Sequence, residues 1–279
     1  MNERTITCTQ LDAFCQNLTQ DEKSTATVEK YLRDVRAFAV FLGGEPVSKE
    51  AVIAYKKHLV ERGYAVRSCN SMIASVNSFL SFIGHGDCRV KAFKLQQQAY
   101  CDAGKELTKG EYLRLLEAAA ANPKLQLVMQ TICATGIRVS ELQHFTVEAV
   151  KCGEVNVNCK GKTRRILIPS KLRKTLLAYA RGEKIRSGAI FTGRNGKSMN
   201  RSSIWAQMKQ LCRMAGVEPG KVFPHNLRKL FARTFYGIEK DIAKLADILG
   251  HSSINTTRIY IVSTGSEHRR KIERLGLLI

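Results

Sequence analysis

Apolar residues recur at three- and four-residue spacings through the N-terminal part of the chain, and most of the runs close on glycine. In "TATVEKYLRDVRAFAVFLG", Val28, Tyr31, Leu32, Val35 and Phe38 share one face of a 3.6-residue period, and Gly43 and Gly44 stop it. "SKEAVIAYKKHLVERG" and "RSCNSMIASVNSFLSFIG" repeat the pattern, and "LDAFCQNL" adds a shorter stretch in front. The spacing predicts a small four-helix domain over residues 1–95. Its polar faces carry Lys56, Lys57, Arg62 and Arg67, which fit either contacts to a phosphate backbone or ordinary solvated charge.

"KLQQQAYCDAG" breaks the periodicity and reads as a linker over 96–106, with a second domain over 107–279. "LTKGEYLRLLEAAAA" opens a helix with Thr108 as N-cap and Glu111 three residues later, a capping box. "KLQLVMQTICATGIRVSEL" reads as a long helix and a glycine turn. "EVNVNC", "KGKT" and "RRILIP" then alternate as a β-hairpin, the one convincing β segment. Helices resume at Ser170, interrupted by a short strand "AIFTG" and a polar turn "RNGKS". The expected fold is mainly α with a small β-sheet: a helical first domain and a mixed α/β second domain.

Charge narrows the class. The chain carries 45 Lys+Arg against 24 Asp+Glu over 279 residues, a net of +21. The excess is lopsided: residues 1–96 hold 13 basic against 10 acidic groups, and residues 97–279 hold 32 against 14. A surface that one-sided fits a polyanion, with nucleic acid the leading partner. The 44% hydrophobic content describes a globular protein. The most apolar stretch, "LQLVMQTICA", is too short to span a bilayer, and "MNERTITCTQ" lacks the layout of a signal peptide. Nine cysteines without a CxxC pair fit reduced thiols in a cytosol. No HExxH, zinc-type spacing or paired aspartates call for a metal.

Four motifs could carry chemistry. In "ATGIRVSEL" a glycine turn sets Arg138 beside a helix start, where it can fork onto a phosphate or pair with Glu141. "PHNLRKLFA" starts a helix at Pro224 and puts His225 and Arg228 on one face, with Leu227, Leu230 and Phe231 packing inward. That histidine is a reaction partner or a structural one. In the hairpin, Val155, Val157 and Cys159 alternate with Asn156, Asn158 and Lys160, which puts Lys160 on the polar face, reaching a groove or simply solvated. "KGKT" also matches the end of a phosphate-binding loop, but position 156 is Asn where that motif needs glycine, and no helix follows. "LGHSSINTTRIYI" places His251 nine residues ahead of Tyr260, with Arg258 between them.

Arg138, Lys160, His225, Arg228, His251 and Tyr260, in this order and spacing, resemble the tyrosine recombinase family of phage and conjugative-transposon integrases and Xer-type recombinases. The resemblance covers the second domain closely and the first, as the family's core-binding (SAM-like) domain, more loosely. No catalytic position departs from the pattern, and no arm-binding domain is expected ahead of the helical one.

The resemblance implies a C-shaped clamp on duplex DNA. Tyr260 attacks the scissile phosphodiester to give a 3′-phosphotyrosyl link, Arg138 and Arg228 clamp the non-bridging oxygens, and His225 and His251 supply hydrogen bonds and proton transfer. Lys160 protonates the leaving 5′-oxygen and Glu141 orients its neighbours; Lys162 and Arg164 would join the DNA contacts. Neither metal, ATP nor any other cofactor is expected. The partners implied are double-stranded DNA with specific recombination sites and three further copies in a homo-tetramer on DNA, linked by the tail "EHRRKIERLGLLI"; an accessory DNA-bending protein is admitted. The expected setting is cytoplasmic, on a prokaryotic nucleoid and away from membranes, and the expected role is integration or excision of a mobile element. Type IB topoisomerase-like relaxation and a non-catalytic DNA-binding regulator are the alternatives.

Overall fold

The structure, a computed structural model, describes residues 4–94, 103–159, 162–193, 196–262, 269–270 and 272–275. The chain divides into two compact units, Met1–Gln97 and Gln98–Ile279.

The first unit is built of α1 (Cys8–Gln20), α2 (Thr25–Leu42), α3 (Lys49–Glu61) and α4 (Val66–Phe82). A capping box between Thr7 and Gln10 starts α1, and Gly43, at φ +61°, ends α2 in the left-handed conformation that glycine adopts without strain. Val28, Val35, Phe38 and Leu42 are the buried stripe of α2, while Tyr31 and Leu32 are only half-buried against it. Phe14 meets Phe79 edge-on at 5.3 Å, and Phe38 packs on Tyr55. Hydropathy alone missed Asp34: it is buried at 2% exposure on the same stripe, paired with Lys30 at 2.9 Å and accepting from the Ser75 hydroxyl. Of the four basic residues singled out here, Lys57, Arg62 and Arg67 are exposed, whereas the Lys56 ammonium donates to Lys91 O and lies 4.1 Å over the Phe93 ring.

The second unit opens with α5 (Lys109–Ala118), where both halves of the Thr108–Glu111 capping box form. It continues through α6 (Pro123–Thr135), a 3₁₀ segment over Val139–His144 and α7 (Val147–Cys152) to the hairpin of β1 (Glu154–Cys159) and β2 (Lys162–Leu167). The strands pair antiparallel, Glu154 opposite Leu167 and Asn158 opposite Thr163. Val155, Val157 and Ile166 face the core and Asn156 and Asn158 face out, the parity expected of a half-buried strand. Helices α8 (Ser170–Gly182), α9 (Arg201–Ala215), α10 (Pro224–Glu239), α11 (Ile242–Leu249) and α12 (Ile254–Ile261) complete the unit.

Two expectations change. "AIFTG" is no strand: it makes only isolated bridges, Ala189 with Thr146 and Thr192 with Ser198. Consecutive residues Ile190 and Phe191 are both fully buried, which a regular strand over one core cannot achieve because its side chains alternate between faces. Nor is α10 simply amphipathic. It packs against α6, α11 and α12, so Arg228 is enclosed along with Leu227 and Leu230. The segment read as a linker also reaches into this unit: Glu106 is buried and pairs with Lys229 and Arg233 of α10.

Candidate active site

Two helix ends converge on one place. α6 terminates at Gly136 (φ +64°) and α11 at Gly250 (φ +63°), and the last carbonyls of an α-helix have no partner within it. Here arginines supply the partners. Arg228 donates to Gly136 O at 2.5 Å and to Leu249 O at 2.7 Å, Arg164 to Ile248 O at 2.9 Å, and Arg138 to Gly250 O at 3.1 Å. The negative ends of two helix dipoles therefore gather three guanidinium groups that would otherwise repel one another. Both glycines are needed for close approach as well as for conformation. A Cβ at Gly136 would sit 2.4 Å from the Phe231 ring, and one at Gly250 would sit 2.9 Å from the Arg164 side chain.

Glu141 is the counter-charge. Only 4% exposed, it accepts from the Arg138 backbone N–H at 2.8 Å and pairs with the Arg138 guanidinium at 3.0 Å and with Arg164 at 2.5 Å. The two readings of Arg138 are thus not exclusive: it is held by Glu141, yet its side chain stays 36% exposed. Arg164, grouped with the DNA contacts on sequence grounds, lies inside this network with its side chain only 11% exposed. Lys160, and the side chain of Lys162, lie outside the described residues.

Arg228 is 2% exposed, and burial, then the nearby charge of Arg138, pushes its guanidinium down to about 10, so it stays charged at neutral pH. Its third partner is His251 Nε2 at 3.0 Å. A guanidinium only donates, so Nε2 accepts; the His251 proton sits on Nδ1, 2.8 Å from the Thr257 hydroxyl. His251 is thus neutral: burial, followed by Arg228, Arg138 and Arg164, lowers its affinity for a second proton to about 4. His225, stacked on Phe223, is shifted downward as well, by burial and then by Lys229 and Arg228.

Tyr260 completes the cluster. Its ring packs with Ala232, Leu245 and Leu249 and lies 5.1 Å from the His251 ring and 5.2 Å from the His225 ring. Two open cavities, about 770 and about 650 Å³, meet at Arg138, His251 and Thr256; the first is lined by Glu141 and Arg164, the second by His225, Arg228 and Tyr260. Three arginines against one glutamate leave an excess of positive charge over this space, which suits a bound phosphodiester. Of the residues singled out from sequence, the structure brings together Arg138, Glu141, Arg164, His225, Arg228, His251 and Tyr260. Sequence reading missed Thr257, fully buried and three residues before Tyr260. Its place one helical turn before the tyrosine was the available signal.

The site carries a stability prediction. The unfolded chain takes up a proton on His251 near pH 6.5, whereas the folded protein does not until about pH 4. In that window the unfolded state binds more protons, so stability falls as pH falls from about 6.5 to about 4. Chemical unfolding in this range will show His251→Gln with a shallower acid dependence than the parent protein; an unchanged slope would contradict the neutral His251.

The chain belongs to the phage integrase family: the "Phage integrase family" model matches residues 105–267, and the "Phage integrase, N-terminal SAM-like domain" model matches residues 11–85. It is similar to tyrosine recombinase XerA of Pyrococcus furiosus, 28% identical over 287 residues that cover 100% of this chain and 98% of that protein. Among solved structures it resembles a lambda integrase (75-356) dimer bound to a COC′ core site, with TM-score 0.74 and 19% identity over 93% of this chain and 96% of that one. Lambda integrase as a tetramer bound to a Holliday junction aligns with TM-score 0.73 and 19% identity over 92% and 78% of the two chains. The Tn1549 transposon integrase in complex with transposon right end DNA aligns with TM-score 0.72 and 16% identity over 95% and 99%. The protein is accordingly a tyrosine recombinase, a DNA strand-exchange enzyme acting in site-specific recombination. This sets aside the non-catalytic regulator and the topoisomerase-like reading. No helix among the described residues is long and apolar enough to cross a membrane.

Proposed function

We propose that Tyr260 is the nucleophile and that Arg138 and Arg228 bind the scissile phosphate between the ends of α6 and α11. The observation that carries this is the meeting of three guanidinium groups, a neutral histidine and a tyrosine at one open cleft. The tyrosine oxygen bonds to phosphorus, the bond to the 5′-oxygen breaks, and the electron pair leaves with that oxygen, which Lys160 protonates. One phosphodiester is exchanged for another, so the bond energy is kept and rejoining is the same step reversed. Charge building on the non-bridging oxygens meets Arg138 and Arg228, supplying what a metal supplies in other phosphoryl-transfer sites. His251 and His225 exchange protons with the tyrosine and the phosphate, and Glu141 orients Arg138 and Arg164.

The substrate is double-stranded DNA with specific recombination sites, and the working assembly is a homo-tetramer of chains divided at a segment over 96–106. The solved dimer on a core site and tetramer on a Holliday junction of lambda integrase support this. In the first unit Lys57, Arg62 and Arg67 are the exposed candidates for backbone contacts. The finer role is integration and excision of a mobile element, supported by the family's description and by the likeness to the Tn1549 transposon integrase. The full-length match to XerA supports a second reading, exchange between two sites on one replicon.

One experiment separates them. The protein is incubated with nicked duplexes of randomised sequence, DNA that survives denaturation on the protein is sequenced, and the site obtained is placed on two plasmids or twice on one. Fusion of the two plasmids supports integration; loss of the segment between paired sites without any fusion supports the second reading; no captured DNA contradicts both.

A further inference from the structure

His251 lies between one group that can only donate and one that can do either. The Arg228 guanidinium stands 3.0 Å from Nε2, and the Thr257 hydroxyl stands 2.8 Å from Nδ1. An Nε2–H ring would set two donors against each other. The ring proton must therefore be on Nδ1, with Thr257 Oγ1 accepting it. Thr257 is completely buried, and it sits on α12, the helix that carries Tyr260.

We propose that Thr257 is a positioning residue: by accepting the Nδ1 proton it holds His251 in the tautomer whose basic nitrogen, Nε2, points at Arg228 and the reaction centre. The inference rests on the role assigned above to His251. Because Thr257 satisfies Nδ1–H in both the neutral and the protonated ring, proton gain and loss are confined to Nε2. In the empty site Nε2 accepts from Arg228. Once a phosphate takes over the Arg228 hydrogen bonds, Nε2 is released to take a proton, and as imidazolium it donates to a phosphate oxygen.

The charged groups facing His251 favour this arrangement. Arg228 and His225 approach from α10, while Arg138, Glu141, Arg164, Arg165 and Asp247 line the cleft with it. This cationic surround keeps the ring neutral, and in a neutral imidazole the tautomer decides which nitrogen is basic. Placing the tautomer-setting hydroxyl one turn before Tyr260 also links the two groups mechanically: α12 cannot shift the nucleophile without moving the partner of His251.

The test uses Thr257→Val, which keeps the shape but removes the acceptor, and Thr257→Ser, which keeps the hydroxyl. Nitrogen-15 shifts of His251 in histidine-labelled protein report the tautomer without any DNA. The rate of covalent adduct formation is read on the duplex recovered by wild-type capture. We expect Nδ1–H in the wild type and loss of that single tautomer in Thr257→Val. Adduct formation in Thr257→Val should slow about tenfold or more, less than the roughly 10²–10⁴-fold of losing a proton-transfer group outright, because His251 itself remains. Thr257→Ser should restore both within about threefold, and DNA affinity should be held in all three proteins. A wild-type spectrum with Nε2–H overturns the inference whatever the variants do. So does Thr257→Val with an unchanged tautomer or rate, or a Thr257→Ser as impaired as Thr257→Val. Wild-type protein that forms no adduct contradicts the assigned function instead, and the spectrum still decides the tautomer.

Discussion

Tyr260→Phe will bind duplex DNA within about threefold of the parent affinity and will form no detectable covalent adduct. Affinity for duplex DNA comes mainly from neutralised phosphates, and the substitution leaves every arginine and lysine in place. Folding should barely change. The Tyr260 ring is 7% exposed and packs on Ala232, Leu245 and Leu249, contacts that phenylalanine repeats, so a stability change within about 1 kcal/mol is expected. What is lost is the phenolic oxygen proposed to bond to phosphorus; His251 and His225 present ring nitrogens, and the other hydroxyls lining the cleft, such as those of Ser252 and Thr256, are aliphatic and far weaker acids than a phenol. Tyr236, in the same apolar cluster on α10, is the tyrosine that sequence proximity offers as a substitute; Tyr236→Phe should retain full adduct formation. Denaturing gels of end-labelled DNA check both variants.

The second large effect concerns Lys160. An alkoxide leaving group needs a proton in the transition state, and a positioned acid contributes about 10²–10⁴-fold. Lysine titrates ordinarily at about 10.4, so at neutral pH it carries the proton that a general acid must give up. Lys160→Ala should therefore slow cleavage of ordinary DNA about a thousandfold, within that span. Sulfur at the bridging 5′ position leaves without a proton, so a substrate carrying it should bring the variant back to within about tenfold of the parent, by the same reasoning. Arg228→Ala should lose as much and regain nothing with sulfur, since the role proposed for its guanidinium is on the non-bridging oxygens. Rescue of Lys162→Ala in place of Lys160→Ala would move the acid two residues along the hairpin.

Much of this was legible in the chain because helices announce themselves by period and punctuation. The capping box at Thr108 and Glu111 and the glycine stop of α2 formed as read, since both depend only on neighbouring residues. The strand parity of Val155 and Val157 held for the same reason. "AIFTG" misled because its apolar content reflects burial of Ile190 and Phe191 on a segment that makes only isolated bridges, which hydropathy does not separate from a strand. Order and spacing pointed to Arg138, Glu141, His225, Arg228, His251 and Tyr260, but not to Thr257 or to the place of Arg164, and could not give their partners. That Arg228, Arg164 and Arg138 are held by the carbonyls of two helix ends depends on α6 and α11 meeting in space, and that Thr257 fixes His251 depends on the fold of α12. Asp34 and Glu106 were overlooked likewise: each is buried against a lysine or arginine, at separations in the chain that run from one helical turn to more than a hundred residues.

The central claim is that this cluster makes its covalent bond through Tyr260, and mass spectrometry of the trapped complex addresses it directly. Protein denatured on the nicked duplex from the capture experiment is digested with nuclease and trypsin. Cleavage after Arg258 and Arg269 releases a peptide of residues 259–269, which holds one tyrosine. The expected result is a 3′-linked nucleotide on Tyr260 in that peptide, with a free 5′-hydroxyl on the departing strand. A nucleotide on any other residue, Tyr236 included, or a link through a 5′-phosphate, would contradict the account.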